Sequence, residues 1–489
     1  MPADILARDF GWRHAGRKRA ALAHIDLEVP AGQRVLLAGA SGAGKSTFLH
    51  ALAGVLPAES GYQEGELLVG GQEPDPSAGR TGLVLQDPDS QVILATIGAD
   101  VAFGMENLRV PAADIPHRAA AALDLVGLTL PPERSTQALS GGQKQRLAIA
   151  GVIAMAPDVI VLDEPTANLD PAAVTVVRDA VLAAQARTGA TMLVVEHRVE
   201  IWADHVDRVV VLGPEGVLAD GPPRAVLADA GLRPALLDAG LWLPDLPLPA
   251  PRARAAGGEE LLSARGLGTG RGRALTAAGI DLDIRAGTAT GFVGPNGAGK
   301  STTALTLAGL LPPLAGTLRA QPALLAAGTG RPRGSAPHGW SAQELVSRIG
   351  TVFQEPEHQF IAASVRAELE FGPLRAGLGE EIAAARADEL LARLRMEALA
   401  PAHPQTLSGG EKRRLSVACM LAAQPPVLIV DEPTFGQDAR TWRGLAELLG
   451  DQVDAGGALL AVSHDEEFLT AVGARRCAFA PAPRPQEVR

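Results

Sequence analysis

The chain is 489 residues long, more than one ordinary hydrophobic core accommodates and suited to two or three domains. Apolar residues make up 47% and charged residues 20%, a globular balance that excludes a disordered chain. With 44 basic against 55 acidic side chains the formal net charge is −11, and aromatics are only 3%, so no nucleic-acid partner is expected: phosphate backbones are repelled and stacking platforms are few.

In chain order, Arg13, Arg17, Lys18 and Arg19 have no apolar segment behind them, so no secretory signal is expected. The apolar run Arg34 to Ala38 reads as a strand, and it feeds G-A-S-G-A-G-K-S-T at Gly39 to Thr47. This matches the phosphate-loop pattern G-x-x-x-x-G-K-[ST]. Gly39, Gly42 and Gly44 let the backbone wrap so that successive N–H groups, with Ser41 and Thr47 among their owners, point at phosphate oxygens. Lys45 would reach the β and γ phosphates and Ser46 would ligate Mg²⁺. Ser140-Gly141-Gly142 precedes a helical stretch: the serine is a good N-cap, and the glycines admit an anion to the helix terminus, or serve capping alone. The greasy stretch Leu147 to Leu162 is broken by Pro157 and Asp158, so it reads as a helix end and a strand, and nothing reaches the 18 to 20 or so continuous apolar residues that span a bilayer. The strand Val159 to Leu162 ends in Asp163-Glu164. The first carboxylate there is placed to hold a metal-bound water, and the next, pointing the other way, to face an attacking water, making Glu164 the general-base candidate. A further apolar run, Met192 to Val195, precedes His197.

The chain then repeats itself. Lys45 recurs as Lys300, 255 residues on, inside G-P-N-G-A-G-K-S-T, which supplies Gly294, Asn296, Gly297, Gly299, Lys300, Ser301 and Thr302. Gln86 recurs as Gln354, Ser140-Gly141-Gly142 as Ser408-Gly409-Gly410 and Asp163-Glu164 as Asp431-Glu432, each 268 residues on, and His197 as His464 at 267. The register therefore changes by 13 between the phosphate loop and the glutamine, and the Gly-, Pro- and Arg-rich segment Ala327 to His338 is the expected insertion, a surface loop. Between the copies, Leu241 to Glu260 holds Pro244, Pro247, Pro249 and Pro251, then Gly257 and Gly258, which reads as a semi-rigid spacer. The expected domains are 1–240 and 261–489, with 241–260 as linker. Continuous apolar strand runs ahead of helical stretches point to an α/β fold in two copies. Two cysteines, Cys419 and Cys477, suit a reducing cytosol and exclude zinc-bearing DNA-repair relatives.

The phosphate loop, single glutamine, LSGG[QE], DEPT, a following aspartate (Asp170, Asp438) and a final histidine, in that order and twice over, resemble the ATP-binding-cassette ATPases. The resemblance implies two P-loop domains, each with a mostly parallel core sheet, a small antiparallel β subdomain and a helical subdomain. It implies ATP and Mg²⁺, with Gln86 and Gln354 sensing metal and water and His197 and His464 contacting the γ-phosphate. It also implies a head-to-tail sandwich in which Ser408 and Gly410 close the first site and Ser140 and Gly142 the second. No catalytic position is missing, so both sites are expected to hydrolyse. The family's adenine-stacking aromatic is expected near His14, with Trp12 close by, and near Gly270, where no aromatic occurs. The segment Gln86-Asp87-Pro88-Asp89-Ser90-Gln91, its counterpart Gln354 to Gln359, and D-E-P-T-F-G-Q-D-A-R-T at Asp431 to Thr441 resemble the ATPase subunits of energy-coupling-factor importers. That implies a transmembrane component and a small membrane substrate-binding protein as partners, carriage of a vitamin or of cobalt or nickel, and a peripheral place on the cytoplasmic face of the membrane. Asp87, Asp89, Glu355 and Glu357 would then capture arginines of the membrane partner, or simply form a hydrated acidic turn. A tandem sugar-importer ATPase and a soluble ribosome-associated translation factor are the alternatives, the latter usually carrying a long basic linker.

Overall fold

The computed structural model describes residues 1–480 except Lys18, Ala167, Asn168, Asp170, Pro214, Pro244, Asp245, Pro247 and residues 253–256. The aspartate expected after the first acid pair, Asp170, thus lies outside the described residues, as do Lys18, Pro244 and Pro247. The chain divides into two compact units, Met1–Leu246 with Asp438–Arg440, and Pro247–Gln437 with Thr441–Arg489.

The first unit runs β1 (Ile5–His14), β2 (Leu22–Val29), β3 (Arg34–Gly39), α1 (Lys45–Leu52), β4 (Gly61–Val69) and β5 (Thr81–Val84). It continues α2 (Pro88–Gln91), α3 (Ile97–Asn107), α4 (Ile115–Leu125), α5 (Gly141–Met155), β6 (Val159–Asp163), α6 (Pro171–Thr188) and β7 (Thr191–Val195). It closes with β8 (Arg208–Gly213), β9 (Gly216–Gly221), α7 (Pro223–Leu227) and α8 (Arg233–Asp238). β2, β1 and β4 form a small antiparallel sheet, and the larger sheet has the order β5-β6-β7-β3-β8-β9, parallel except for β9 at its edge.

The continuous apolar strands are explained by burial on both faces. Leu36 and Ala38 of β3, Ile160 and Leu162 of β6, and Met192 and Val194 of β7 face one core, with Val101, Leu123, Leu147 and Val177 of the helices. Their alternates Val35, Leu37, Val159, Val161, Leu193 and Val195 face the other, with Phe10, Phe48 and Leu67. Each such side chain contributes about 1.5–3 kcal/mol of transfer free energy. Because β6, β7 and β3 are adjacent and parallel, their carboxyl ends share one edge of the sheet, which is where ligands bind in such folds.

The second unit repeats this plan with β10 (Glu260–Arg271), β11 (Ala274–Arg285), β12 (Ala289–Val293), α9 (Lys300–Leu307), β13 (Ala315–Ala320), α10 (Pro322–Ala326) and α11 (Ala342–Val346). There follow β14 (Ile349–Val352), α12 (Val365–Arg375), α13 (Glu380–Leu394), α14 (Gly409–Ala423) and β15 (Val427–Asp431). Last come α15 (Ala439–Asp454), β16 (Ala458–Val462), α16 (Glu466–Ala471) and β17 (Arg475–Ala478). Its core sheet, β14-β15-β16-β12-β17, is parallel throughout, and β11, β10 and β13 pair antiparallel. In each unit three helices pack together as a helical subdomain: α3, α4 and α5, and α12, α13 and α14. Among the described residues no helix is long and apolar enough to cross a membrane.

The insertion has no helix or strand from 327 to 336 and is pinned from beneath. Arg348, fully buried, donates to the carbonyls of Leu325, Thr329, Gly330 and Glu344, and its guanidinium lies 5.7 Å from the Trp340 ring. At the spacer, Leu241 and Leu243 join the core of the first unit, and Arg198 lies 5.2 Å over Trp242. Further along, Arg252 pairs with Asp451 at 2.8 Å and with Asp454, in a gap that a Cβ at Gly450 would fill, 2.2 Å from its Nε.

Candidate active site

In the first pocket the loop between β3 and α1 turns through left-handed glycines, Gly42 and Gly44, both at φ 82°. A Cβ on Gly44 would lie 2.3 Å from the Ala21 carbonyl, so the sequence pattern is a steric requirement. Lys45, buried, donates to the carbonyls of Gly39 at 2.8 Å and Ala40 at 2.9 Å, which holds its ammonium inside the loop. Burial lowers its pKa, opposed by Glu164 and Asp163. Ser41 sits on the loop and Thr47 in the first turn of α1, its Oγ1 3.5 Å from His14 Nε2.

At the end of β6, Asp163 stands beside Ser46, and its Oδ1 is buried and has no partner among the described residues. Burial, then the neighbouring Glu164, raises its pKa to about 6. A serine and an orphaned carboxylate oxygen are oxygen ligands of the kind Mg²⁺ takes, with nucleotide phosphates and water completing the shell, so these residues fit the metal. Glu164 stands at φ 45°, a left-handed conformation that costs a non-glycine residue about 1–3 kcal/mol and clusters at functional sites. Its N–H donates to the Val195 carbonyl at the end of β7 at 3.0 Å. Its carboxylate takes Gln86 Nε2 on Oε2 at 2.7 Å and faces His197 Nε2 from Oε1 at 3.1 Å. Burial pushes the pKa of Glu164 up, but His197, Lys45 and Gln86 outweigh it and hold the group below its ordinary value. Glu164, His197 and Gln86 thus meet at one point, delivered by three different segments.

The second pocket repeats the frame. Gly297 and Gly299 are left-handed at φ 80° and 88°, Gly294 opens the loop, and Thr302 lies in the first turn of α9. Lys300 donates to Gly294 at 2.7 Å and Pro295 at 3.0 Å. Asp431 stands beside Ser301, burial raising its pKa, and Glu432 is again left-handed at φ 47°. Burial, then Asp431, lifts Glu432 to about 7. Here the histidine differs: His464 Nε2 is 3.9 Å from Glu432 Oε1 but 3.0 Å from Asn296 Oδ1 and 3.4 Å from Lys300 Nζ. Gln354 is exposed.

Ser140 and Ser408 are the N-caps of α5 and α14, each closing a capping box with Gln143 or Glu411, and Gly141-Gly142 and Gly409-Gly410 are the first helical residues. Asp438 directly precedes α15 and is buried. For the base, His14 ends β1, with its pKa lowered first by burial. Trp12 instead packs in the core and gives its indole N–H to His14 Nδ1 at 3.3 Å. The expectation of Gly270 as the second counterpart is corrected by strand register. Both β1 and β10 slip at the same place, between Arg8 and Gly11 and between Arg265 and Gly268, which makes Arg271 the counterpart of His14 and Gly270 that of Arg13 in their own copies. A Cβ on Gly270 would sit 2.0 Å from the Ala274 carbonyl.

The acidic glutamine-loop segments also read differently in three dimensions. Asp87 caps α2, Asp89 pairs with Lys144, Glu355 lies 3.1 Å from His358, and Glu357 pairs with Lys412 at 2.9 Å. All four carboxylates have partners in their own half, and Asp89, Glu355 and Glu357 remain half or more exposed. Sequence reasoning missed what holds these segments. Gln91 bridges the Leu85 N–H and the Leu83 carbonyl, as Gln359 does for Phe353 and Thr351. Asp100 takes the N–H groups of Ile93 and Leu94, and Glu368 those of Ile361 and Ala362. Their recurrence at matching places in both copies was the available signal.

Two phosphate-loop pockets, each with a strand-end acid pair and a histidine, define a tandem nucleotide-hydrolysing protein. The model of the family described as ABC transporter matches residues 22–167 and 277–435. A Bacillus subtilis protein named for HMP/thiamine import, YkoD, is 35% identical over 91% of this chain and 84% of its own. A Streptomyces coelicolor protein named as an ABC transporter ATP-binding protein is 33% identical over 95% of this chain and 90% of its own. Among solved structures, the archaeal ribosome recycling factor aABCE1, in complex with the stalk protein aP1, superposes with a TM-score of 0.61 at 20% identity over 97% of this chain and 88% of that one, a likeness of fold. The chain belongs to the ABC transporter family; it is an ATP-hydrolysing ATP-binding protein whose nucleotide is ATP with Mg²⁺.

Proposed function

We propose that the chain is the ATPase subunit of an importer of the energy-coupling-factor type. It would sit on the cytoplasmic face of the cell membrane against a transmembrane component, with a small membrane protein that binds a vitamin or a transition-metal ion. The name of the YkoD relative supports an importer. The observation that carries the reading is a pair of exposed isoleucines at equivalent places, Ile93 at 61% and Ile361 at 68% exposure, directly after α2 and after residues 356–359. Asp100 and Glu368 fix the backbone at each, so an apolar side chain is displayed on a rigid turn beside a glutamine that reports on the nucleotide. Such a contact suits an apolar helix of a membrane partner. Ile93→Glu with Ile361→Glu should abolish uptake in reconstituted vesicles while ATPase activity in detergent persists; transport at the parental rate would refute the docking.

In this reading the domains are 1–240 and 261–489 with 241–260 as linker. ATP closes them head to tail, Ser408 and Gly410 completing the first site and Ser140 and Gly142 the second, and hydrolysis reopens them. Lys45 and Lys300 hold phosphate oxygens, and Ser46 and Asp163, like Ser301 and Asp431, hold the metal, aided by Gln86 and Gln354. When bound, Mg²⁺ neutralises charge developing on the phosphates. Glu164 and Glu432 take a proton from the attacking water, and His197 and His464 face the γ-phosphate. Glu164→Gln or Glu432→Gln alone should each reduce turnover, and an unaltered rate for either refutes two working sites.

A further inference from the structure

The two pockets share the lysine, serine, acid pair and histidine of their motifs, yet besides Ser41 against Asn296 in the phosphate loop they differ one position before the histidine. In the first half that residue is Glu196, only 6% exposed. Its Oε1 accepts the His197 N–H at 3.0 Å, and its Oε2 accepts the hydroxyl of Thr166, the threonine of D-E-P-T. Glu196 thus ties the turn leaving β6 to the turn leaving β7, the two segments that carry Glu164 and His197. In the second half the same position is Ser463, whose hydroxyl donates to Glu432 Oε2 at 3.2 Å. The matching threonine, Thr434, donates instead to Asp465 Oδ2 at 3.0 Å, a carboxylate on the other side of the histidine that also takes the Trp442 indole N–H at 2.6 Å and caps α16. The strap is therefore attached before the histidine in one half and after it in the other.

The histidines follow their straps. His197 reaches Glu164 at 3.1 Å, and with Gln86 occupies both carboxylate oxygens. His464 stands 3.9 Å from Glu432 and turns toward Asn296. A carboxylate kept away from water is costly unless hydrogen-bonded, and Glu196 spends both oxygens on one backbone and one hydroxyl group beside the reaction centre.

We propose that Glu196 is a positioning residue of the first pocket only, holding His197 on Glu164, and that the two pockets of this chain consequently turn over ATP at different rates. The inference rests on reading Glu164 and Glu432 as the bases. It is tested in the full chain with Glu196→Ser, which installs the second half's residue, and Glu196→Gln, whose amide keeps an acceptor for the His197 N–H and a partner for Thr166. Each is made in an E432Q background, leaving the first pocket, and in an E164Q background, leaving the second. Misplacing a catalytic group by a fraction of an ångström is expected to lower kcat about 10-fold for Glu196→Ser with E432Q, with KM within about 2-fold. Glu196→Gln should recover most of that loss, and with E164Q neither change should matter. An equal loss in both backgrounds, or none in either, overturns the proposal. Should one Glu→Gln change silence both pockets, the imidazole NMR resonances decide: Glu196→Ser must shift those of His197 and leave those of His464, and an unmoved His197 refutes the strap. A double E164Q/E432Q chain hydrolysing ATP at the parental rate would instead sink the reading of the bases, without bearing on the His197 spectrum.

Discussion

Gly44 shows how a single backbone angle governs binding. At φ 82° and with Ala21's carbonyl in the way, Gly44→Ala adds both strain and a clash. Strain of about 1–3 kcal/mol, if relieved only by losing the bound geometry, converts to about a 5- to 150-fold loss of ATP affinity in the first pocket, measurable by nucleotide titration. Glu196 makes a prediction of different sign. Burial, then Glu164, raises its pKa to about 7 from an ordinary 4.5, so between those values the folded chain holds more protons than the unfolded one. Stability attributable to this group is therefore greatest below about pH 4.5 and declines as pH rises toward 7. Urea midpoints of the parent minus those of Glu196→Gln should fall across that window, and a difference independent of pH would contradict the assignment. Nothing in the sequence announced Glu196: it stands at the end of an apolar run, beside a motif histidine that draws the eye, and its partner Thr166 lies 30 residues away.

Elements were legible wherever one physical cause dominated. The apolar runs of β3, β6 and β7 are buried on both faces, and Ser140 and Ser408 cap their helices because that is what serine before two glycines does. Elements whose place depends on a turn length were not legible. Motif order put Gly270 at the place of His14, whereas strand pairing puts Arg271 there, because Thr269 pairs with Ala277 across a turn two residues shorter than the one across which Trp12 pairs with Leu22. Arg271→Ala should accordingly weaken ATP binding in the second pocket and His14→Ala in the first, by a few-fold each as stacking contacts go, whereas exchange of the two residues should be tolerated. Acidic residues have partners that the sequence does not display. Composition shows Asp87 and Asp89 side by side, but only the fold shows that one closes a helix and the other meets Lys144.

At the scale of the whole chain, duplication supplies its own control, because any feature present in one copy and absent from the other is a candidate for division of labour. The frames coincide: both glutamates are left-handed, both lysines fold onto their loops and both turns display an isoleucine. Among the differences are the strap before the histidine and the inserted segment of the second copy. That segment hangs on Arg348, and Arg348→Met would strand four carbonyls that it now satisfies. A loss on the order of 2–4 kcal/mol is expected, read as an earlier urea transition, with the first unit's transition unmoved.

The same guanidinium reaches back from a residue that follows the insertion to the carbonyls of Thr329 and Gly330 near its start and of Leu325 just before it, and Arg331 and Arg333 between them are exposed. Trypsin has a preferred target at the Arg333–Gly334 bond, Arg331 being shielded by Pro332, yet a nick would not free either stump. The two fragments should elute together in native buffer and separate in denaturant, giving a split version of the second copy that reassembles without a covalent bond.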